Sequence, residues 1–243
     1  MKTKAKKIDA FRLAAGRSIA GKYEVLELLG KGWEGEVYKI RELRTDITRA
    51  AKLFYPQRNI NDKTSTYYAR KLHRLQSCSM VIQYNSAETL TFSRQPITAL
   101  ISEYIEGIPL SSYIEQQPGK RLQPFQAVHL LYALTRGMEE LHQMKEYHGD
   151  LHSSNVIVQR VGLNFHLKLL DMFRWYGTAR ENIEEDTIKM IQIFHEALGG
   201  QKTYAKHPPA IKAICCGLKR SLIVKKFRNA SALRAYLESF SWD

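Results

Sequence analysis

Two aspartates and an asparagine in the middle of the chain have residue types and spacing that could support catalysis with a metal ion. In the segment HGDLHSSNVIV, residues 148–158, Asp150 precedes Asn155 by five positions and an apolar stretch follows. A carboxylate such as Asp150 can orient an attacking hydroxyl or accept its proton, and the amide oxygen of Asn155 can bind a hard cation. Asp171 ends the next apolar stretch, LKLLDMF, where a second carboxylate can bind a metal that bridges phosphate oxygens. Either aspartate alone is compatible with a loop cap or a turn, and their order along the chain favours catalysis.

A glycine-rich segment nearer the start of the chain can bring backbone N–H groups close to a phosphate. In GKGWEGEV, Gly30, Gly32 and Gly35 lie between two predicted strands, and the lack of a Cβ permits close approach. Taken alone, the pattern is more typical of an ordinary glycine-rich hairpin. A dinucleotide-binding fingerprint is excluded, because the residues that follow continue as a strand instead of opening a helix.

Lys52 lies in the next predicted strand segment, AAKLF. A cation at this position could reach phosphate oxygens. A single strand lysine most often points into water, so the glycine loop that precedes it is what favours the phosphate-binding interpretation.

The elements that must position these residues change in type along the chain. Up to Gly107, short segments rich in β-branched and aromatic residues predict consecutive antiparallel strands. One helix interrupts them over residues 65–76, with Tyr68, Leu72 and Leu75 on its apolar face. Helical spacing dominates the remainder, so we predict an α+β chain of two lobes. The predicted strand segments are YEVLELLG, GEVYKI, TRAAKLF, MVIQYNSAETLTF and PITALISEYI.

Length and composition set further expectations. The chain of 243 residues is 44% hydrophobic, which allows a sizeable core and argues against disorder. Its three cysteines have no metal-ligand spacing and are expected to be reduced thiols, which suggests a cytoplasmic protein. No signal-peptide core or run of about eighteen apolar residues is present, so we expect no membrane span.

The charge balance is strongly basic. Lys and Arg number 37 against 24 Asp and Glu, for a formal net charge of +13. Such a field attracts polyanions, which leaves an acidic or nucleic-acid partner open beside a simple solvated basic surface.

Taken in order, these motifs resemble those of the protein-kinase-like superfamily over about residues 21–240. GKGWEG resembles the glycine-rich loop, AAK the strand with the phosphate-binding lysine, SEYIEG the hinge, HGDLHSSN the catalytic loop and LDMF the DFG segment. The resemblance implies a bilobal α+β fold, with an antiparallel β-sheet N-lobe carrying one helix at 21–104 and a reduced, mainly α-helical C-lobe at 105–243. Before them, residues 1–20 would form a basic, loosely held arm, with organised structure from Gly21 onward.

The resemblance also assigns functions to particular residues. Asp150 would engage the acceptor hydroxyl, Asn155 and Asp171 would bind Mg²⁺ or Mn²⁺, and Asp186 would brace the catalytic loop. Ser102 would guard the back of the adenine pocket. The residues implied to bind ATP are Gly30, Lys31, Gly32, Gly35, Val37, Ala50, Lys52, Glu103, Ile105 and Ile157.

One departure from the family pattern concerns Lys52. No acidic residue lies between Asp62 and Glu88, so the helix at 65–76 cannot supply the glutamate that normally pairs with this lysine. Lys52 therefore needs another partner, for which Asp171 is the candidate by analogy.

Other departures concern regulation. The DFG glycine is absent from Asp171-Met172-Phe173, and Gly149 stands in place of the arginine that would bind an activation-loop phosphate. Only 15 positions separate Asp171 from Asp186, and no A-P-E motif is present. We therefore predict a constitutively competent protein without a phosphorylation switch in residues 174–185.

The catalytic loop is compatible with more than one class of acceptor. His152 replaces the usual lysine, and it could contact the transferred phosphoryl or cap the loop; HGDLH-type loops also occur in aminoglycoside and choline phosphotransferases and in atypical kinases. A serine/threonine protein kinase is the preferred interpretation. A small-molecule kinase, a pseudokinase or nucleotide-binding scaffold, and a nucleic-acid-associated regulator are the alternatives.

Overall fold

The computed structural model describes residues 7–162, 164–173 and 177–241, which divide into two compact units. The first unit contains the described chain up to Ser77 together with Ile82–Ile105. The second contains Cys78–Val81 and the described residues from Glu106 onward. Residues 1–6 of the predicted arm and 174–176 of the predicted activation segment lie outside the described residues.

The first unit is a six-stranded antiparallel sheet with one helix, in the strand order β1-β2-β3-β4-β6-β5. This confirms the five predicted strands and the single α-helix, whereas the short strand β1 was not predicted. The fourth predicted segment joins this sheet only from Tyr84. Its first residues, Met80 and Val81, belong to the second unit, where the Met80 carbonyl accepts a hydrogen bond from Leu169 N at 2.8 Å. The elements are β1 (Ser18–Ile19), β2 (Tyr23–Lys31), β3 (Gly35–Glu42), β4 (Thr48–Phe54), α1 (Lys63–Arg74), β5 (Tyr84–Phe92) and β6 (Gln95–Glu103).

The apolar stripe of α1 lies where the sequence pattern placed it. Tyr68, Leu72 and Leu75 are all buried, although Leu75 is the residue that caps the helix and not a member of it. A helix with one apolar face gains its stability by burying that face, and here the buried stripe fixes the rotation of α1.

The N-terminal segment is packed against the sheet. Ile8, Phe11, Leu13 and Ile19 are buried in one core with β-sheet residues of the first unit. The expectation that organised structure begins near Gly21 and that the described part of the arm is loosely held is therefore wrong. Aromatic and aliphatic side chains spaced among the basic residues bury enough apolar surface to hold this segment in place.

The second unit is mainly helical, with α3 at its centre and a small three-stranded sheet in the order β7-β8-β9. Pro124 occupies the first turn of α3, and Gln123 and Gln126 form a capping box that satisfies N–H groups at its start. Among the described residues, none of the helices combines the length and hydropathy of a bilayer-spanning segment. The elements are β7 (Ile108–Pro109), α2 (Leu110–Glu115), α3 (Pro124–Gln143), β8 (Val156–Val161), β9 (Asn164–Leu169), α4 (Ala179–Ala197), α5 (Gln201–Tyr204), α6 (Pro209–Cys215), α7 (Arg220–Lys226) and α8 (Ala230–Glu238).

Candidate active site

The glycine segment forms the turn of the β2–β3 hairpin, closed by a 2.9 Å hydrogen bond from Gly32 N to Gly35 O. A Cβ added at Gly30 or Gly32 would meet no atom within 4 Å, so the backbone there is open to close approach. A Cβ at Gly35 would lie 1.9 Å from the carbonyl oxygen of Leu53. Gly35 is therefore required for the contact between β3 and β4, a function that the sequence pattern did not reveal.

Several predicted nucleotide-binding residues share one face of the sheet. Val37 is opposite Lys52 in the β3–β4 register, and Ala50 is opposite Ser102 in the β4–β6 register. Partners in register and alternate residues along a strand point to the same face, so these four side chains are neighbours. The residues between them in β4, such as Ala51, are buried on the opposite face with the N-terminal segment.

The other predicted nucleotide-binding residues of the first unit lie at strand ends. Lys31 is exposed at the end of β2, opposite Glu36. Glu103 ends β6, and its backbone N–H donates to Gln83 O at 3.0 Å. Ile105 is the last residue of the first unit.

Lys52 has a partner that the sequence interpretation missed. Its Nζ lies 2.9 Å from Glu34 Oε2 and 3.3 Å from the hydroxyl of Tyr68 on α1. The side chains of Lys52 and Glu34 are only 16% and 15% exposed. The available signal was the presence of an acidic residue between Gly32 and Gly35. The expected pairing of Lys52 with Asp171 stays a prediction, because the two residues belong to different units.

A buried carboxylate directly after the hairpin ties the N-terminal segment to β3. Glu36 accepts hydrogen bonds from the backbone N–H of Phe11 at 3.1 Å, from Tyr55 OH at 3.1 Å and from Tyr38 OH. Burial, together with the bond to Glu36, raises the pKa of Tyr38 to about 12 and raises the pKa of Tyr55 as well. Both phenols therefore remain protonated donors at neutral pH, and they keep the buried carboxylate satisfied.

The second unit holds the predicted catalytic loop. Asn155 Nδ2 donates to the backbone oxygen of Asp150 at 2.9 Å and to its carboxylate Oδ2 at 3.2 Å. His152 Nε2 lies 3.7 Å from the same carboxylate oxygen, and both of these side chains are half exposed. The loop thus presents the Asp150 carboxylate at the surface with two polar neighbours that restrict its position.

Asp186 braces this loop from α4, as the sequence predicted. Its carboxylate is 1% exposed and accepts from His148 N at 2.6 Å and Gly149 N at 3.1 Å. His142 Nε2 on α3 lies 3.4 Å from it, a contact that the sequence did not suggest. Gly149 has φ +83°, a conformation that disfavours a side chain, which gives a physical reason for glycine in place of the family arginine.

The two predicted metal ligands lie at the same end of the β8–β9 hairpin. Val156 is opposite Leu169, and Leu170 N donates to Asn155 O at 2.9 Å, so Asn155 and Asp171 flank the paired strands. Asp171 has φ 51°, an uncommon backbone conformation that often accompanies functional residues. The Asn155 amide donates to Asp150 through Nδ2, so its Oδ1 atom is the one that could bind a metal ion. Two hard oxygen donors of this kind fit a magnesium ion.

Ile157, the predicted adenine contact of the second unit, lies on β8. It is half buried next to Gly107, where an added Cβ would come within 2.7 Å of Ile157 Cγ2. The candidate residues therefore form two groups, each assembled within its own unit. The first contains Gly30, Lys31, Gly32, Gly35, Val37, Ala50, Lys52, Ser102, Glu103 and Ile105, and the second contains Asp150, His152, Asn155, Ile157, Asp171 and Asp186.

Comparison with known proteins identifies the family of this chain. A family model described as the protein kinase domain matches residues 23–196. The chain is 25% identical over 150 residues to the serine/threonine-protein kinase PrkC of Bacillus subtilis, an alignment that covers 60% of this chain and 22% of PrkC. It is 30% identical over 165 residues to cyclin-dependent kinase 14 of Callithrix jacchus, covering 66% of this chain and 35% of that protein. The chain thus spans about a third or less of these curated relatives.

Solved structures give the same result for the fold. The crystal structure of the Mycobacterium tuberculosis PknI kinase domain superimposes with a TM-score of 0.63 at 16% identity, covering 94% of this chain and all of that one. The antiparallel sheet with one helix and the mainly helical second unit are thus those of a protein kinase fold, as the sequence predicted.

Proposed function

We propose, from the premise that this chain belongs to the protein kinase domain family, that it transfers the γ-phosphoryl group of ATP to a serine or threonine hydroxyl of a protein. The observation that carries the proposal is the catalytic loop of the second unit. There the exposed Asp150 carboxylate is held by Asn155, and the backbone of the loop is fixed by buried Asp186.

In this proposal Asp150 orients the acceptor hydroxyl and receives its proton as the oxygen attacks phosphorus. His152, within ion-pair range of Asp150, steadies that carboxylate and so acts as a positioning residue for the loop. Phosphoryl transfer depends mostly on positioning and on charge neutralisation, so a fixed carboxylate at the acceptor is a large part of what the protein supplies.

Asn155 and Asp171 are the residues that would hold Mg²⁺, or Mn²⁺ in its place. When bound, the metal supplies positive charge that neutralises the phosphate oxygens. Lys52 supplies a further cation, and the open space around Gly30 and Gly32 lets the backbone of the hairpin approach the phosphates closely.

The adenine contacts are proposed by analogy with the family. Val37 and Ala50, neighbours on one face of the first sheet, and Ile157 would pack on the ring. Backbone groups of Glu103 and Ile105 would bind its edge.

The state of the three cysteines is compatible with a reducing compartment. Cys78, Cys215 and Cys216 are all free thiols, and burial raises the pKa of Cys215 to about 12. Such a thiol is unreactive, and we propose that the protein works in the cytoplasm, where thiols remain reduced.

The test is incubation of the full chain with γ-labelled ATP and Mg²⁺ or Mn²⁺, alone, with generic protein acceptors and with small hydroxyl compounds. We expect label on serine or threonine of the protein acceptor or of the chain itself. Label only on small molecules would replace the proposal with a small-molecule kinase. Nucleotide binding without any transfer would replace it with a scaffold.

A further inference from the structure

We propose that Glu34, in the turn of the glycine hairpin, is the positioning residue for Lys52 and takes the place of the helix glutamate that the chain lacks. This inference rests on the proposed function and adds a residue to it. It also moves the control of Lys52 from α1 to the hairpin.

The first support is the surroundings of the Lys52 ammonium. Its Nζ is 2.9 Å from Glu34 Oε2, 3.3 Å from the Tyr68 hydroxyl and 4.3 Å from the centre of the Tyr68 ring. A charge-assisted hydrogen bond at this distance is stronger than a neutral one, and the shielding of both groups from solvent limits screening by salt. The contact from α1 is the aromatic face and hydroxyl of Tyr68, and no acidic residue lies between Lys63 and Arg74.

The second support is the anchoring of Glu34 itself. Tyr55 N donates to the backbone oxygen of Glu34 at 2.9 Å, which ties the turn to the residue after β4. The neighbouring Trp33 ring lies 3.7 Å from the guanidinium carbon of Arg58, a cation–π contact that holds the tip of the hairpin. The carboxylate therefore comes from a turn held on both sides, and it can fix the lysine that it binds.

The third support is charge. A carboxylate in a loop that approaches a triphosphate would repel it, because like charges at short range raise the free energy of binding. Pairing with Lys52 neutralises Glu34 and keeps the cation beside the open backbone of the hairpin. The glycine loop and the lysine then act as one unit, and a movement of α1 leaves the carboxylate–lysine bond in place.

The test compares the wild-type chain with Glu34→Gln, Glu34→Asp and a matched control, Glu27→Gln. Glu27 lies on β2 of the same hairpin and pairs with Lys39 at 3.4 Å, but its side chain is 59% exposed and it lies outside the turn. Two readouts are used: kcat and KM for ATP in phosphoryl transfer, and the rate at which N-hydroxysuccinimidyl acetate acylates Lys52 and Lys39, measured by peptide mass spectrometry.

We expect Glu34→Gln to lower kcat by about a hundredfold, the size of effect produced by misplacing a catalytic group, while KM for ATP changes by no more than about threefold. Glu34→Asp keeps the negative charge, and its kcat is expected to lie between those of the wild-type chain and Glu34→Gln. Lys52 is expected to be acylated several times faster in Glu34→Gln, because acylation requires an amine released from its carboxylate. Glu27→Gln should leave kcat and the acylation of Lys52 unchanged.

An unchanged kcat in Glu34→Gln would show that Glu34 does not position Lys52, and a higher kcat would show that Glu34 competes with the nucleotide for Lys52. Either result would overturn the inference while leaving the proposed function intact. Unchanged acylation of Lys52 would overturn it as well. If the wild-type chain transfers no phosphoryl group, the proposed function fails, and the acylation rates alone decide whether Glu34 holds Lys52.

Discussion

The buried carboxylate of Asp186 fixes the backbone of the catalytic loop at His148 and Gly149. Two backbone N–H groups donate to it, and it is removed from solvent. Both oxygens of the aspartate carboxylate can accept hydrogen bonds, whereas an asparagine amide has only one acceptor oxygen.

Asp186→Asn should therefore leave a buried N–H group without an acceptor and lower the free energy of unfolding by about 1–3 kcal/mol. The measurement is a urea unfolding midpoint, with Asp46→Asn at a position 82% exposed as the control. Equal midpoints for Asp186→Asn and the wild type would show that Asp186 is not the brace described here.

A residue's contacts can be predicted from the sequence where a motif has a fixed order, and they are missed where side-chain direction matters. Asp150, Asn155 and Asp186 belong to ordered motifs, and the contacts of Asp186 confirm its predicted function. Glu34 was missed because the direction of a side chain in a hairpin turn depends on the pairing of β2 with β3, which residue spacing does not specify. The absence of a helix carboxylate indicated that Lys52 needs a partner without indicating which residue supplies it.

At the scale of elements, the glycines of the hairpin serve two separate purposes, the packing of β3 against β4 and the open backbone for phosphate binding. Gly35 is needed for the approach of β3 to β4, whereas Gly30 has open space around it. Gly35→Ala should force the strands apart and cost about 1–3 kcal/mol of stability, as overpacking does. Gly30→Ala should keep the unfolding midpoint and weaken ATP binding.

The measurement is again urea unfolding, together with titration of ATP by calorimetry. A stable Gly35→Ala protein would contradict the close contact between β3 and the Leu53 carbonyl. Unchanged ATP affinity in Gly30→Ala would contradict the assignment of the open backbone to phosphate binding.

The N-terminal segment is a second element with a measurable contribution to stability. Phe11 is 2% exposed, and its ring stacks on Tyr55 at 5.3 Å and meets Phe92 edge-on at 5.2 Å. Phe11→Ala should lower the free energy of unfolding by about 3–5 kcal/mol, the usual cost of emptying an aromatic site in a core. Leu43→Ala, at an exposed position of the same unit, is the control, and similar midpoints for the two variants would refute the packing.

The strands β2–β6 and the helix α1 were predictable because apolar residues repeat along them with a clear period. The N-terminal segment was not, since its buried residues Ile8, Phe11 and Leu13 follow neither period. Two partners of Phe11, Glu36 and Tyr55, lie 25 or more residues away in the sequence, and such contacts depend on tertiary structure.

At the scale of the whole molecule, the net charge of +13 is the dominant property. Nine Lys and Arg residues and no acidic residue lie between Glu196 and Glu238, and several of them are exposed on the second unit. Retention on random-sequence DNA should therefore occur at low salt and fall steeply as salt rises.

Replacing exposed Lys219, Lys225 and Arg228 with glutamine should reduce the slope of log affinity against log salt by about 0.9 for each phosphate that the variant no longer neutralises. Lack of retention at low salt would remove nucleic acid from the possible partners. An unchanged slope in the triple variant would place the binding surface elsewhere.

The most direct test of the whole account is the rate of phosphoryl transfer from ATP by the wild-type chain compared with that of Asp150→Asn, with urea midpoints to verify that both are folded. The account predicts a loss of roughly a thousandfold in kcat, the contribution of a positioned acid–base group. Near-full activity in a folded Asp150→Asn protein would contradict it.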